Sequence, residues 1–397
     1  MEEESRDIHK IPEILESSCG LDVHEEMIEA CILKAGEDTA YRKTFGCTSA
    51  ALDGLCEWIN SQGCKNIAME STGVYWLAVY ERIEERCPDH ESLLVINAYE
   101  IKNMPGRKSD IKDAHWIAML LIHGLLREHN SFIPEHVVRN MREISRLRRK
   151  ITGQRITAIN QLEKFLQTHG FKFSSVFSSI TGMSSTALLK RLSEQGKLSI
   201  RDVYDCCNKR LKHVPEEIMA AVHGELNKVE KKLLHFHLAR IDALECEINE
   251  LTQMLTGLFD EYKAQLEIAV SIPGINMDSA MEILAEISPE PQKSFSAPGK
   301  LCKWAGLVPR NDGSAQKVLS RKILHGNPYV KSILVQCAWA SVKTRNSAFK
   351  DWFWPRQCRL GRKKAIIAVA RKLLYTLYTL LSSGMFYAAP IPPTKAV

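Results

Sequence analysis

An α/β domain followed by a mainly helical chain is the architecture the sequence predicts, and three observations carry that expectation. Between Gly20 and Leu126, short apolar runs of strand type alternate with stretches of helical spacing. From Val137 onward the apolar residues recur three or four apart over many turns. Pro-Gly punctuation then breaks up an otherwise helical end, Ala269–Met385.

Taken in order, Gly20-Leu-Asp-Val-His24 reads as a short apolar strand carrying one acid. Met27–Lys34 and Ala40–Phe45 follow as two more strands, separated by the turn-like Ala35-Gly-Glu-Asp38. Ser49–Gln62 has helical spacing. Asn66–Glu70 is a strand ending at Ser71-Thr-Gly73, and Val74–Arg86 is a helix. Leu93–Ile96 is the fifth strand, and Asp110–Leu126 is a helix capped by Ser109. Three hairpin-like strands feeding into βαβ units is the element order of the RNase H-like fold. Val137–Leu166 is one basic amphipathic helix, and residues 170–212 have no defined pattern. Pro215–Glu267 reads as a second long helix, apolar at heptad-like spacing from Leu226 to Leu255, which predicts a coiled-coil hairpin or an oligomer contact. The expected domains are therefore 17–165, 166–267 and 268–385.

A chain of 397 residues can hold two or three cores, and 45% hydrophobic with 25% charged residues excludes disorder and fibre. The net charge of +6 and pI near 8.6 suit a polyanionic partner. The acidic start, Met1-Glu-Glu-Glu-Ser-Arg-Asp7, has no apolar core of a secretory signal. The longest apolar stretch, Ala365–Leu381, is interrupted by Arg371 and Lys372, so no membrane span is expected. Twelve cysteines without a Cys-x-x-Cys pair read as reduced thiols, and the expected location is cytoplasmic.

Four acids fall at element ends: Asp22, Glu70, Asp110 and Asp113. Asp110 and Asp113 lie three apart at a helix start, so they share a face with Cβ atoms about 5–6 Å apart. If the first and fourth strands are neighbours, all four carboxylates converge at one sheet end. Carboxylates so gathered repel one another, but they suit Mg²⁺ or Mn²⁺, which take oxygen ligands. Two such ions about 4 Å apart would stabilise the attacking and leaving oxygens of a phosphodiester displacement. The plainer alternative makes Asp110 and Asp113 acids facing a helix dipole and Asp22 a solvated edge acid. No zinc site is expected at His235 and His237, which lie on different faces of one helix.

Farther on, Ser271-Ile-Pro-Gly-Ile-Asn276 before the apolar Met277–Ile287 reads either as a helix-hairpin-helix turn offering N–H groups to a phosphate or as a packing turn. Asn311-Asp-Gly-Ser314 reads as a polar loop flanked by Arg310, Lys317, Arg321 and Lys322. Ser314 among those cations is a candidate nucleophile for a phosphodiester, although most loop serines only form turns. Arg356, Arg359, Arg362, Lys363, Lys364, Arg371 and Lys372 stand near Trp352, Phe353 and Trp354, with no acid in Pro355–Lys372. That composition suits nucleic-acid contact, as does the basic helix with Arg148 and Arg149; a solvated helix face is the alternative for both.

These residues resemble the transposases of insertion-sequence family one-hundred-and-ten, including its eleven-eleven subgroup. The likeness lies in Gly-Leu-Asp22-Val, Met-Glu70-Ser-Thr-Gly-Val-Tyr-Trp and Lys-Ser-Asp110-Ile-Lys-Asp113-Ala, then in Ile-Pro-Gly-Ile, Ala-Gly-Leu-Val-Pro-Arg and His-Gly-Asn-Pro-Tyr-Val-Lys. The resemblance implies a RuvC-like domain whose Mg²⁺ ligands would be Asp22, Glu70, Asp110 and Asp113. It also implies a coiled-coil segment and a carboxyl-terminal domain in which Ser314 would form a transient phosphoserine link to DNA. A noncoding bridge RNA would pair with double-stranded target and donor DNA, in the cytoplasm of a bacterium or archaeon, beside the nucleoid. A site shared between subunits would require a homodimer or homotetramer. One departure stands out: members often read Ser-Ser-Gly-Gly-Lys where this chain has Gly313-Ser314-Ala315-Gln316-Lys317, keeping only the second serine. The competing expectations are a RuvC-like metal-dependent nuclease of the Holliday-junction-resolvase type and a non-catalytic nucleic-acid-binding protein.

Overall fold

The structure, a computed structural model, describes residues 14–71, 73–98, 101, 113–126, 131–207, 212–309, 312–314, 317–320 and 322–388. The chain divides between Ile133 and Pro134 into two compact units.

The first unit is built on one sheet. Its strands are β1 (Ser17–Val23), β2 (Met27–Lys34), β3 (Tyr41–Gly46), β4 (Asn66–Glu70) and β5 (Ser92–Ile96), in the spatial order β3-β2-β1-β4-β5. β1, β2 and β3 pair antiparallel, whereas β1–β4 and β4–β5 pair parallel. The burial pattern follows from that order. β4, Asn-Ile-Ala-Met-Glu, is an interior strand and is buried along its whole length, as a strand covered on both faces must be. β3 lies at the edge and carries Arg42 and Lys43, charges that discourage pairing with another sheet.

Side chains alternate between two layers. Leu21, Ile67, Met69 and Val95 face α1 (Ser49–Ser61) and α2 (Trp76–Arg86), sharing a core with Leu55, Ile59 and Ile83. Ala68, Leu94 and Ile96 face α3 (Asp113–Ile122), sharing a core with Trp116, Ile117 and Leu120. Helix α3 is buried almost all round. Where a helix through Leu126 was expected, regular helix stops at Ile122 and gives way to turns, with Gly124 at φ +71°. The proposed start at Asp110 and the Ser109 cap lie outside the described residues.

One glycine controls how α3 sits. A Cβ on Gly20 of β1 would run into the backbone oxygen of Ala114 and the backbone nitrogen of Ala118. The Ser18 hydroxyl two residues earlier donates to the Ala118 carbonyl at 2.8 Å. Helix α3 therefore lies directly on the β1 backbone. Gly20→Ala should cost about 1–3 kcal/mol, the usual penalty for overpacking a tight contact. A urea midpoint unchanged from the parent would show that the helix can retreat freely.

The second unit is helical. Helix α4 (His136–Thr168) belongs to it, so the boundary falls before this basic helix and not at the expected residue 165. Next come α5 (Phe173–Val176), α6 (Met183–Gln195) and α7 (Ile200–Cys206), which supply structure to the stretch with no sequence pattern, and then α8 (Pro215–Ala221). The long α9 (Lys228–Leu258) packs along α4, with Leu162, Leu166, Leu234, Leu238 and Ile241 in one core. The helix expected to run unbroken from Pro215 to Glu267 is thus in pieces, and α10 (Lys263–Val270) follows a short 3₁₀ turn. A capping box restarts the helix: Asn227 accepts from the N–H of Val229 and Glu230, and the Glu230 carboxylate accepts from the N–H of Asn227 at 2.8 Å.

The remaining helices are α11 (Met277–Ile287), α12 (Pro298–Trp304), α13 (Pro328–Ser341), α14 (Ala348–Leu360) and α15 (Arg362–Ser383). The Pro-Gly turn before α11 has an internal use. Gly274, at φ +92°, lies against Ser341 and the Cys337 carbonyl of α13, where a Cβ has no room. That is the packing-turn alternative. Helix α15 is long and apolar enough to pass for a membrane span in spite of Arg371 and Lys372. Its apolar residues Ile366, Val369, Leu373, Leu374 and Leu377 are nonetheless buried inside the unit, as in a core helix.

Candidate functional site

The alternation along β1 and β4 decides where the acids point. Leu21 and Val23 face α1 and α2, so Ser18, Gly20 and Asp22 face α3. On β4, Ala68 faces the α3 layer and Glu70, two residues on, takes the same side. The β1–β4 register pairs Leu21 with Met69, so Asp22 and Glu70 are the next residues along neighbouring strands. Asp113 opens α3, one residue before Ala114, which touches Gly20. Asp22, Glu70 and Asp113 therefore lie at one end of the sheet, near enough for Glu70 and Asp113 to act on the charge of Asp22, while Asp110 lies outside the described residues.

Their charges act on one another. Burial pushes the Asp22 carboxyl above the ordinary carboxylate range. His24 opposes that rise, through its charge and a 3.0 Å contact between Nε2 and Asp22 Oδ2, while Asp113 and Glu70 add to it. A desolvated carboxylate crowded by like charges is relieved by a cation. Oxygen donors of this kind fit Mg²⁺ or Mn²⁺ by their chemistry. Among the described residues no three acids, histidines or cysteines are gathered tightly enough to form a ready cage. Mg²⁺ does not need one, because it keeps several waters and binds through one or two carboxylates plus substrate phosphate.

Sequence reasoning overlooked two neighbours. Glu29 of β2 stands directly opposite Asp22 in the antiparallel register, and Arg42 of β3 donates to His115 Nδ1 of α3 at 2.5 Å. The hairpin register would have revealed Glu29. The Arg42–His115 contact has no short-range signal.

In the second unit, Ser314 lies not in an open loop but in a β-hairpin, β6 (Asp312–Ser314) and β7 (Lys317–Ser320), where it pairs with Lys317. Arg310 and Arg321 fall outside the described residues, and Lys322 follows the hairpin. The root of the arm is tightly held. The N–H of Leu324 donates to the Val308 carbonyl at 3.0 Å, and Pro309 bridges Ile323. Below them Gly306, at φ +68°, and Gly326 meet backbone to backbone. Asn327 then caps α13 through the N–H groups of Tyr329 and Val330.

Several arginines of α4 find partners within the unit. Arg148, 8% exposed, pairs with Asp278 and Glu282 of α11 at 3.1 and 3.2 Å. Arg149 donates to the Tyr329 carbonyl and, at 2.6 Å, to the Ser332 hydroxyl. Both had been expected to meet nucleic acid. Their charge instead joins α4 to α11 and α13. Nearby, Glu286, 2% exposed, accepts from Arg146 at 2.7 and 2.9 Å and from the Asn327 amide at 2.6 Å, while Arg142 donates to its backbone carbonyl at 2.6 Å. Burial lowers the Arg142 guanidinium to about 10 even though Glu286 pulls it up. Arg362 and Lys363, by contrast, are exposed at the start of α15, and Arg362 lies 4.7 Å over the Trp339 ring.

Comparison with known proteins places these features in a context. An IS110 DEDD model described as "Transposase" matches residues 19–171. A second, described as "Transposase IS116/IS110/IS902 family", matches residues 266–353. Together they take in more than half of the chain, including Asp22, Glu70, Asp113 and the Ser314 hairpin. A curated protein of Sinorhizobium fredii, "Putative transposase y4rJ", is 23% identical over 272 residues, covering 66% of this chain and 62% of the relative. The match thus spans less than two thirds of that relative's length.

Proposed function

We propose that this chain, which belongs to the IS110 family of transposases, cuts and rejoins DNA strands of an insertion sequence, using the acids of its first unit and Ser314 of its second. The observation that carries the reading is the meeting of Asp22, Glu70 and Asp113 on one side of adjacent strands and a helix start, with the Asp22 carboxyl raised by burial and by its acidic neighbours. Such a cluster has little structural use and a clear chemical one. The strand order β3-β2-β1-β4-β5 supports an RNase H-like, RuvC-like fold for this unit. The packed pair α4 and α9 supports the coiled-coil segment.

Asp22, Glu70 and Asp113, with Asp110, would hold Mg²⁺ or Mn²⁺, which when bound supplies positive charge to the phosphate oxygens. The hydroxyl oxygen of Ser314 would form a new bond to phosphorus as a strand oxygen leaves and takes up a proton. The number of phosphodiester bonds is unchanged, so a second strand end can reverse the step without outside energy. Lys317, opposite Ser314, would offer charge to the phosphate. Guidance by a bridge RNA paired with target and donor DNA, and a homodimer or homotetramer in the cytoplasm, complete the reading and rest on family resemblance.

The test is a denaturing gel of full-length protein with element-end RNA, matched DNA and Mg²⁺. Wild type should give a protein–DNA adduct and Ser314→Ala none, with DNA binding retained. An adduct of normal yield from Ser314→Ala rules the serine out. The second reading, a water-using metal nuclease, is favoured by one fact: the acids converge within the first unit without any help from Ser314. Cleaved ends without adduct in both proteins would establish it.

A further inference from the structure

The outer surface of α14 and α15 carries cations and rings that the proposed strand chemistry does not use. Helix α14 presents Trp352, Arg356 and Arg359 at spacings that share a face. The Arg356 guanidinium lies 4.7 Å over the Trp352 ring, and Lys372 of α15 reaches the same ring at 5.4 Å. The two helix surfaces are thereby joined into one. Tyr375 stands three residues beyond Lys372 on α15, 49% exposed, with no ring or cation partner among the described residues. Arg356, Arg359, Arg371 and Lys372 are all exposed, and none is ion-paired among the described residues. Pro355–Lys372 holds no acid, and the exposed Asp351 before Trp352 is the nearest one in the chain, so the patch keeps a clear excess of positive charge.

The geometry points to a docking surface for an unpaired stretch of DNA, with a base stacked on Tyr375 and the flanking phosphates on Arg356, Arg359, Arg371 and Lys372. Cations alone would suit any polyanion. An exposed, unpartnered ring among them selects a strand whose base faces are open, because in a duplex those faces are covered by neighbouring pairs. Trp352 serves differently: held between two cations, it fixes where their charges stand. DNA is the occupant because strand cutting and exchange open DNA, so the inference rests on the proposed function. Stacking and phosphate contact do not themselves read the 2′-hydroxyl.

The experiment measures fluorescence anisotropy of labelled oligo-dT, oligo-U and a blunt DNA duplex with the full chain. Wild type is compared with Tyr375→Ala, Tyr375→Phe and Arg371→Gln, each checked for an unchanged melting temperature. Tyr375→Ala should weaken oligo-dT binding roughly fivefold to a hundredfold, the range for losing one stacked base. It should leave the duplex unaffected, and Tyr375→Phe, which keeps the ring, should bind oligo-dT like wild type. Arg371→Gln should weaken binding and flatten its salt dependence. The inference is overturned if Tyr375→Ala binds oligo-dT normally, if it loses duplex and single strand equally, or if oligo-U outcompetes oligo-dT in wild type. Adduct formation by Ser314 is a separate readout. Its absence beside normal ring-dependent oligo-dT binding would count against the strand chemistry and not against this surface.

Discussion

Glu286→Ala should lower the stability of the helical unit by about 3–5 kcal/mol, the cost of removing one partner from a buried charge network. Glu286 is 2% exposed and satisfies Arg146 and Asn327 through its carboxylate. Without it, two guanidinium groups on α4 face each other with no countercharge between them, and the Asn327 amide loses its acceptor. The intact network need not contribute much net stability, since burial already outweighs the pull of Glu286 on Arg142. The loss comes from breaking the set, not from its gross strength. Glu286→Gln should cost less, because an amide oxygen still accepts. Urea unfolding followed by circular dichroism would check this, and a Glu286→Ala transition within about 0.5 kcal/mol of wild type would show that the arginines find water instead.

Asp22→Asn is expected to reduce Mg²⁺-dependent strand cleavage at least about a hundredfold, since several kcal/mol of charge stabilisation depend on a bound metal. Fold stability should move the other way. A carboxyl whose folded pKa lies above its unfolded value costs stability once it ionises, and the cost is present at neutral pH. Asparagine keeps the shape and removes the charge that Glu70 and Asp113 oppose. In metal-free buffer, the variant should therefore melt at or above the wild-type temperature while failing to cleave. A variant that melts lower and cleaves normally would make Asp22 a structural acid.

How much of this could be read beforehand depends on the range of the signal. Met27–Lys34 and Asn66–Glu70 have the bounds the sequence suggests, because strand alternation and turn residues act over a few positions. That Asp22 and Glu70 stand on neighbouring strands was legible only on the assumption of an RNase H-like order, which makes the first and fourth strands adjacent. The break in the second long helix was not legible, since apolar spacing runs through Leu226 into the next turn; only Asn227 with Glu230 marks a new start. The arginines of α4 illustrate the opposite limit. A cation facing water and a cation facing Asp278, Glu282 or Glu286 look identical in sequence, because those partners lie more than a hundred positions away.

The paired glycines under the Ser314 hairpin bear on how this protein can change over time. Any side chain at Gly306 or Gly326 would push the two legs apart, so neither position can drift without losing the arm. The base of the arm is therefore frozen by backbone contact, and any redesign of the hairpin has to leave both glycines in place.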